Sequence, residues 1–305
     1  MISTYRYKGA VWLDVDHPTR EDIEQVVETY KIDKHVAHEL LVPTSRSCVE
    51  FYEESVYISL RFPAFKHSRT KEEIDQEIDF IIAKNALITA RFDAIDALHS
   101  FSKTLETESV IDKTEVENPA EYIFFRMIRQ LYDAISNELT YIDGWTNEIE
   151  TKVFKGQEKE MVRTLSDAGR VLIDFRRVLL QHDEIFKSLL EYGHKTNNKN
   201  FTHSVKEILV DYEKIMHTIE SQQEIVHELR ETNNALLNTE QSEIAKVITV
   251  LAFIAVPISL VIGIFQIDSA SRPIIGMEND FWILIGLVVL LGAAMFAFFR
   301  YEKWL

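Results

Sequence analysis

Two stretches near the C-terminal end, residues 247–267 and 281–299, contain no charged side chain. Each is long enough to cross a hydrocarbon core of roughly 30 Å as a helix. Lipid offers backbone polar groups no partner, and a helix satisfies them within one segment. No earlier stretch approaches that unbroken apolar length, so the chain reads as a water-soluble part followed by a two-span membrane part.

Charge follows the same division. From residue 244 onward, Lys246, Arg272, Arg300 and Lys303 balance Asp268, Glu278, Asp280 and Glu302, so the whole formal charge of −16 belongs to the soluble part. A surface this acidic repels nucleic acid and anionic headgroups and gathers cations, which excludes DNA or RNA as an expected partner. The first residues, Met-Ile-Ser-Thr-Tyr-Arg-Tyr-Lys-Gly, hold no basic region followed by an apolar stretch, so no export signal is read and the soluble part is expected in the cytoplasm. A single cysteine, Cys48, agrees with a reducing compartment. Two spans return the C-terminus to the starting side, and Lys246, Arg300 and Lys303 are the expected cytoplasmic anchors, against Arg272 in the outer loop.

Residues 1–110 read as a mixed α/β cytoplasmic domain. Alternation in Ala10-Val-Trp-Leu-Asp-Val predicts a strand, Thr19-Arg-Glu-Asp opens a helix with a capping residue, and 49–61 and 78–91 each read as paired strands around a short turn. Residues 111–202 read as a helical hairpin. Asn118-Pro119 starts a helix reaching about residue 151, a second runs from about 159 to 192, and 193–200 form a polar break. A stalk helix occupies 203–246, with Val205, Ile208, Tyr212, Ile215, Ile219, Val226 and Leu229 on one stripe. Neither Gly nor Pro interrupts it before Pro257, so it continues into the first span, 247–267, over roughly 90 Å. A helix that long invites packing against copies of itself, and oligomerisation is expected. A loop at 268–280, the second span and a cytoplasmic tail at 300–305 complete the chain.

Small or weakly polar residues recur on the first span at alternating spacings of three and four: Ser242, Ala245, Thr249, Ala252, Val256, Ser259, Gly263 and Gln266. Such a stripe lets helices approach closely in lipid. It also suits the wall of a pore, where bulk obstructs conduction and hydroxyls or carbonyls bond hydrated ions. The pattern alone fits both. Extended backwards, the same phase meets Asn238, Ala235, Glu231 and Glu228, a polar and acidic mouth.

Over nearly its full length the chain resembles the CorA family of divalent-cation channels and transporters. Trp12-Leu-Asp14 is similar to the family's early strand motif, and Arg46-Ser-Cys-Val-Glu50 with Tyr57-Ile-Ser-Leu to its "RPKVE" segment. Ile78-Asp-Phe-Ile-Ile-Ala-Lys-Asn-Ala-Leu-Ile-Thr-Ala-Arg91 resembles its "FILGKNYLITVR" hairpin. Glu243-Ile-Ala-Lys-Val-Ile-Thr249 matches "NEVMKVLT" from its second residue, Pro257 falls on the mid-span proline, and Lys303-Trp-Leu305 matches the "KKWL" ending. The resemblance implies a homopentamer in the cytoplasmic membrane: an α/β cytoplasmic domain, a long stalk helix and two C-terminal transmembrane helices, the first lining the pore. In that register the small stripe is the pore line, and Ala245 and Ile248 take the places of a Met and Leu constriction.

One departure bears on the cargo. The family's Tyr-Gly-Met-Asn signature, whose Asn ring holds a hydrated magnesium ion, is replaced by Phe265-Gln-Ile-Asp268. A ring of Asp268 carboxylates would repel itself and hold divalent ions more tightly, and it favours ions that shed water more readily than magnesium. The Gly-Met at Gly276-Met-Glu-Asn279 reads as a coincidence of the loop. Glu278 and Asp280 are candidates for an acidic outer ring, and Glu207 and Asp211 lie near the family's regulatory metal position. The expected function is transport of magnesium, zinc, cobalt or nickel with altered selectivity and no resident cofactor. The competing reading is a non-conducting pentameric scaffold or sensor. No phosphate loop, nucleophile motif or zinc-ligand spacing supports an enzyme.

Overall fold

The alternation that begins at Ala10 forms β2 (Ala10–Asp16), which pairs antiparallel with β1 (Ile2–Tyr7) and parallel with β6 (Ala86–Arg91). With β3 (Cys48–Phe51), β4 (Ser55–Pro63) and β5 (Asp75–Ala83) these make a six-stranded sheet of order β1-β2-β6-β5-β4-β3, antiparallel except at β2–β6. The expected hairpins are present. Lys84-Asn85 closes β5 on β6 with Ala83 opposite Ala86, and β3 pairs with β4 through Glu50 opposite Tyr57. The computed structural model describes residues 1–44, 46–64, 75–111, 116–267, 274–276, 278–302 and 304.

Alternation gives the sheet two apolar faces. On one, Leu13, Val15, Tyr57, Ile81 and Ile88 meet Ile23 and Val26 of α1 (Arg20–Tyr30) and Val36 of α2 (Lys34–Glu39). Helix α1 starts as the sequence predicts: Thr19 Oγ1 accepts from the Asp22 N–H, and the Asp22 carboxylate accepts from the Thr19 N–H. On the other face, Trp12 meets Phe101 of α3 (Asp96–Ile111) edge-on at 5.5 Å, and Phe80 meets Phe124 of α4 (Pro119–Val153) at 5.3 Å.

The helix expected over 159–192 is two helices, α5 (Glu158–Leu179) and α6 (His182–Lys195). The interruption falls where two side chains are drawn to the sheet. Gln181 accepts from the Ser47 N–H at 2.9 Å, and His182 bonds the Arg61 carbonyl oxygen at 2.8 Å. Those partners lie far away in sequence and leave no local signal. Helix α7 (Lys199–Gln266) is continuous with Pro257 inside it, beginning four residues before the expected start. Helix α8 (Asp280–Tyr301) is the second apolar segment.

The chain forms two compact units, Met1–Arg230 and Glu231–Leu305. In the first, the stripe read on the stalk is core: Val205, Ile208 and Ile219 are fully buried. In the second, α7 and α8 are both long and apolar enough to cross a membrane, and almost nothing of either apolar window is buried within one chain.

Candidate functional site

The membrane unit partly covers one seam, with only Val250 and Phe299 buried in it. On α7 the covered positions are Val250, Ile254, Pro257, Ile258, Val261 and Phe265; on α8 they are Leu284, Val288, Leu291, Gly292, Met295 and Phe299. Both sets share one spacing pattern, a helical stripe of the kind that lets two helices pack along their length. Ile258 reaches to 3.6 Å of where a Cβ on Gly292 would stand, and the Phe253 and Phe299 rings lie 6.2 Å apart.

The small stripe is elsewhere. Ser242, Ala245, Ile248, Ala252, Val256, Ser259, Gly263 and Gln266 are exposed, Ile248 and Val256 by more than half, and Thr249 is half-buried. At about 100° per residue their mean direction lies roughly 180° from the seam covered by α8. Packing of the chain's own two spans therefore does not account for the small residues. Their face has no partner among the described residues.

Chemistry on that face is limited but directional. The Thr249 hydroxyl donates to the Ala245 carbonyl at 2.7 Å, and Ser259 donates to the Ala255 carbonyl at 2.9 Å. With their protons committed to the helix, both oxygens present lone pairs outward, which suits a cation or the hydrogens of its water shell. Pro257 cannot supply the N–H that the Phe253 carbonyl would otherwise receive, and it lies on the covered side, away from the stripe.

At the far end of α7, Gln266 is exposed and the Ile267 N–H closes the last turn on the Ile264 carbonyl at 3.3 Å. Asp268, the key candidate ligand, and Arg272 lie outside the described residues. Glu278 is exposed. Asp280 is engaged by backbone, accepting from the Gly276 N–H at 3.1 Å and the Phe281 N–H at 2.7 Å. Gly276 has φ +102°, so the glycine read as coincidental serves the turn entering α8.

In the soluble unit, Glu207 and Asp211 are brought together, but around an arginine. Arg129 of α4 lies 2.6 Å from Glu207 and 3.8 Å from Asp211. The single guanidinium charge offsets one of the two carboxylates, and both acid side chains stay more than two-fifths exposed. No cluster of three or more His, Cys, Asp or Glu side chains able to hold a metal occurs among the described residues. Sequence spacing carried no sign of Arg129, because the pairing joins two helices far apart in the chain.

His182 is the histidine the core absorbs. It is fully buried, with Nε2 donating to the Arg61 carbonyl and Nδ1 accepting from the Tyr132 hydroxyl at 2.7 Å, which fixes the neutral tautomer. Burial lowers its pKa from 6.5 to about 4, against a weaker opposing effect of the Arg61 bond. The unfolded chain therefore takes up this proton as pH falls through 6.5, while the native chain resists until about 4. The neutral contact is fully effective above pH 6.5 and loses up to roughly 3 kcal/mol between 6.5 and 4. Denaturant unfolding across that range should show a steeper pH dependence for the wild type than for His182→Gln; equal slopes would refute the assignment.

A family model described as CorA-like Mg2+ transporter protein matches residues 7–301. The chain is 23% identical over 297 residues to the cobalt/magnesium transport protein CorA of Thermotoga maritima, covering 96% of this chain and 83% of that one. Among solved structures it resembles the complete CorA magnesium transporter of Methanocaldococcus jannaschii, with a TM-score of 0.83 at 18% identity, covering 100% of this chain and 94% of that one. It also resembles the full-length CmaX protein, with a TM-score of 0.73 at 16% identity, covering 97% and 89%.

Proposed function

The chain belongs to the family of CorA-like Mg2+ transporter proteins, and from that premise we propose that it moves divalent cations across the cytoplasmic membrane through a pore lined by the small face of α7. The observation that carries this reading is the opposition of the two faces of α7. Val250, Ile254, Ile258, Val261 and Phe265 meet α8, while Ala245, Ala252, Ser259 and Gly263 stand on the opposite side, which, with Ile248 and Val256, is left unpartnered among the described residues. In a homopentamer that side turns to the symmetry axis, and both termini lie in the cytoplasm. The name of the Thermotoga relative supports cobalt and magnesium as the cargo class.

Each small residue is repeated around such a ring, so width and polarity are set five times by one position. Ala245 and Ile248 form its cytoplasmic constriction, where Ile248 supplies most of the bulk. At the outer end, an Asp268 ring replaces neutral amide dipoles with carboxylates. Their mutual repulsion raises some pKa values in the empty ring, and a divalent ion relieves it. Magnesium keeps its water shell tenaciously, so direct carboxylate contact shifts preference toward ions that dehydrate more easily. Conduction also requires release, and a ring that binds too tightly slows it. Selectivity is therefore altered from that of members with the Gly-Met-Asn signature. Glu278, on the exposed turn, adds negative potential at the mouth, and Asp280 mainly holds the turn.

Purified protein in liposomes, assayed in turn with magnesium, cobalt, nickel and zinc gradients, should pass at least one of these ions. The double change Gln266→Gly with Asp268→Asn should shift the preference among them by about tenfold, equivalent to ~1.4 kcal/mol. Absence of flux for every divalent ion would overturn transport in favour of the non-conducting pentameric scaffold or sensor.

A further inference from the structure

The soluble unit contains a cleft that neither the pore nor the fold explains. It lies between α5 and the stretch of α7 that ends at Arg230, has a volume of about 360 Å³, and is lined by Arg176, Arg177, Arg230 and His227 together with Ile173 and Leu180. No carboxylate lines it, although the chain carries a formal charge of −16. Two acids stand at its rim: Glu220 lies 3.6 Å from Arg176, and Asp174 lies 3.3 Å from Arg177. Arg230 has no carboxylate partner among the described residues, and its guanidinium donates to the Leu165 carbonyl at 3.4 Å.

Backbone makes room for that guanidinium. A Cβ on Gly169 would stand 2.9 Å from Arg230 Nη2, so the glycine lets the arginine head lie close against α5, and a side chain there would shift that flexible head. The cleft is also amphipathic. Ile173 is 60% exposed and Leu180 48% exposed, so an apolar wall adjoins the guanidinium cluster. Guanidinium forks match phosphate oxygens in pairs, and exposed aliphatic side chains offer surface for a flat ring. The volume falls within the range of small-molecule sites.

We propose that this cleft binds a soluble phosphate-bearing anion of the nucleoside di- or triphosphate class, with Arg230, Arg176 and Arg177 on the phosphates and Ile173 and Leu180 against the base. The acidic field of the wider protein opposes an approaching anion, so the three arginines of the cleft must outweigh it locally.

The test uses the full-length protein in detergent, with chelator present so that no divalent cation bridges the contact. Calorimetric titration with ATP, ADP and inorganic pyrophosphate should show saturable binding of the nucleotides, weaker binding of pyrophosphate, and loss of affinity with added salt. Arg230→Gln and Arg176→Gln should each weaken ATP by about tenfold or more, the cost of one charge-assisted contact. Gly169→Ala alters no charge and meets only the flexible end of a side chain, so the fold persists while Arg230 is displaced; ATP affinity should fall here too. Melting temperatures separate loss of binding from loss of fold. No binding of any probe at about millimolar concentration would overturn the proposal. So would ATP binding unchanged by Arg230→Gln and Gly169→Ala, or binding confined to vesicles of anionic lipid. A change of oligomeric state in the arginine variants without nucleotide binding would mean that a second copy fills the cleft, and would overturn it as well.

Discussion

Leucine placed at Ala252, Ser259 or Gly263 should cut cation flux by at least about tenfold, the effect of ~1.4 kcal/mol on the permeation barrier, while leaving the protein folded. All three positions are exposed on the face opposite α8, so the added carbons have room among the described residues. In a symmetric ring each substitution is repeated in every copy, so even one extra branched side chain closes much of the bore. Leucine at Gly292 should behave differently. Ile258 already lies in van der Waals contact with a Cβ at that position, and the further carbons would force α8 away from α7. Loss of stability is expected there, and any loss of flux should follow the loss of folded protein. Alanine at Val289 or Leu290, both exposed on α8, should leave flux unchanged. Flux per folded molecule measured in vesicles decides the matter. Wild-type rates in the Ala252 and Gly263 variants would show that the small stripe does not line the path.

The contrast between those positions marks what spacing alone can convey. Three-four periodicity places Ala252, Ser259 and Gly263 on one face of a helix, but it does not say what that face meets. The answer required α8, whose seam from Leu284 to Phe299 takes the opposite side of α7. Local signals were legible wherever the chemistry was local. The Thr19 and Asp22 side chains cap α1, Lys84-Asn85 turns the β5–β6 hairpin, and Pro119 opens α4. Even there, Asn118 bonds the Glu121 carboxylate rather than capping the helix backbone. Distant pairings were silent. The break between α5 and α6 depends on Ser47 and Arg61, and the carboxylates Glu207 and Asp211 depend on Arg129. Asp268, the ligand proposed for the outer ring, lies outside the described residues.

Asp14→Ala should be among the most destabilising changes in the soluble unit, by about 3 kcal/mol, because it breaks the network that fixes the one parallel pairing of the sheet. Trp12 Nε1 donates to Thr89 Oγ1 at 3.0 Å, Thr89 in turn donates to Asp14 at 2.8 Å, and Arg91 reaches the other Asp14 oxygen at 3.2 Å. Trp12, Asp14 and Thr89 are all buried, so removal of the carboxylate leaves the Thr89 hydroxyl only the long 3.4 Å contact to the Leu13 carbonyl and costs Arg91 its most buried acid partner. Arg91 keeps the Asp93 carbonyl at 2.7 Å and Asp16 at 3.3 Å, which holds the loss near the lower end for a buried pair. The same contacts join Asp14 to Thr89 across β2–β6, where a slip by one residue would turn each strand's apolar set to the wrong face. Asp14→Asn keeps an acceptor for Thr89 and loses the charge, so it should cost about 1–2 kcal/mol. Guanidinium unfolding should show the midpoint falling in that order at an unchanged slope. A change below about 0.5 kcal/mol for Asp14→Ala would remove the network from the account of stability. Because the bonds of this network run within β2, β6 and the loop after it, cation flux per folded molecule should match the wild type. The Trp-Leu-Asp motif is then a device for strand register, answering the demands of the sheet rather than of the ion.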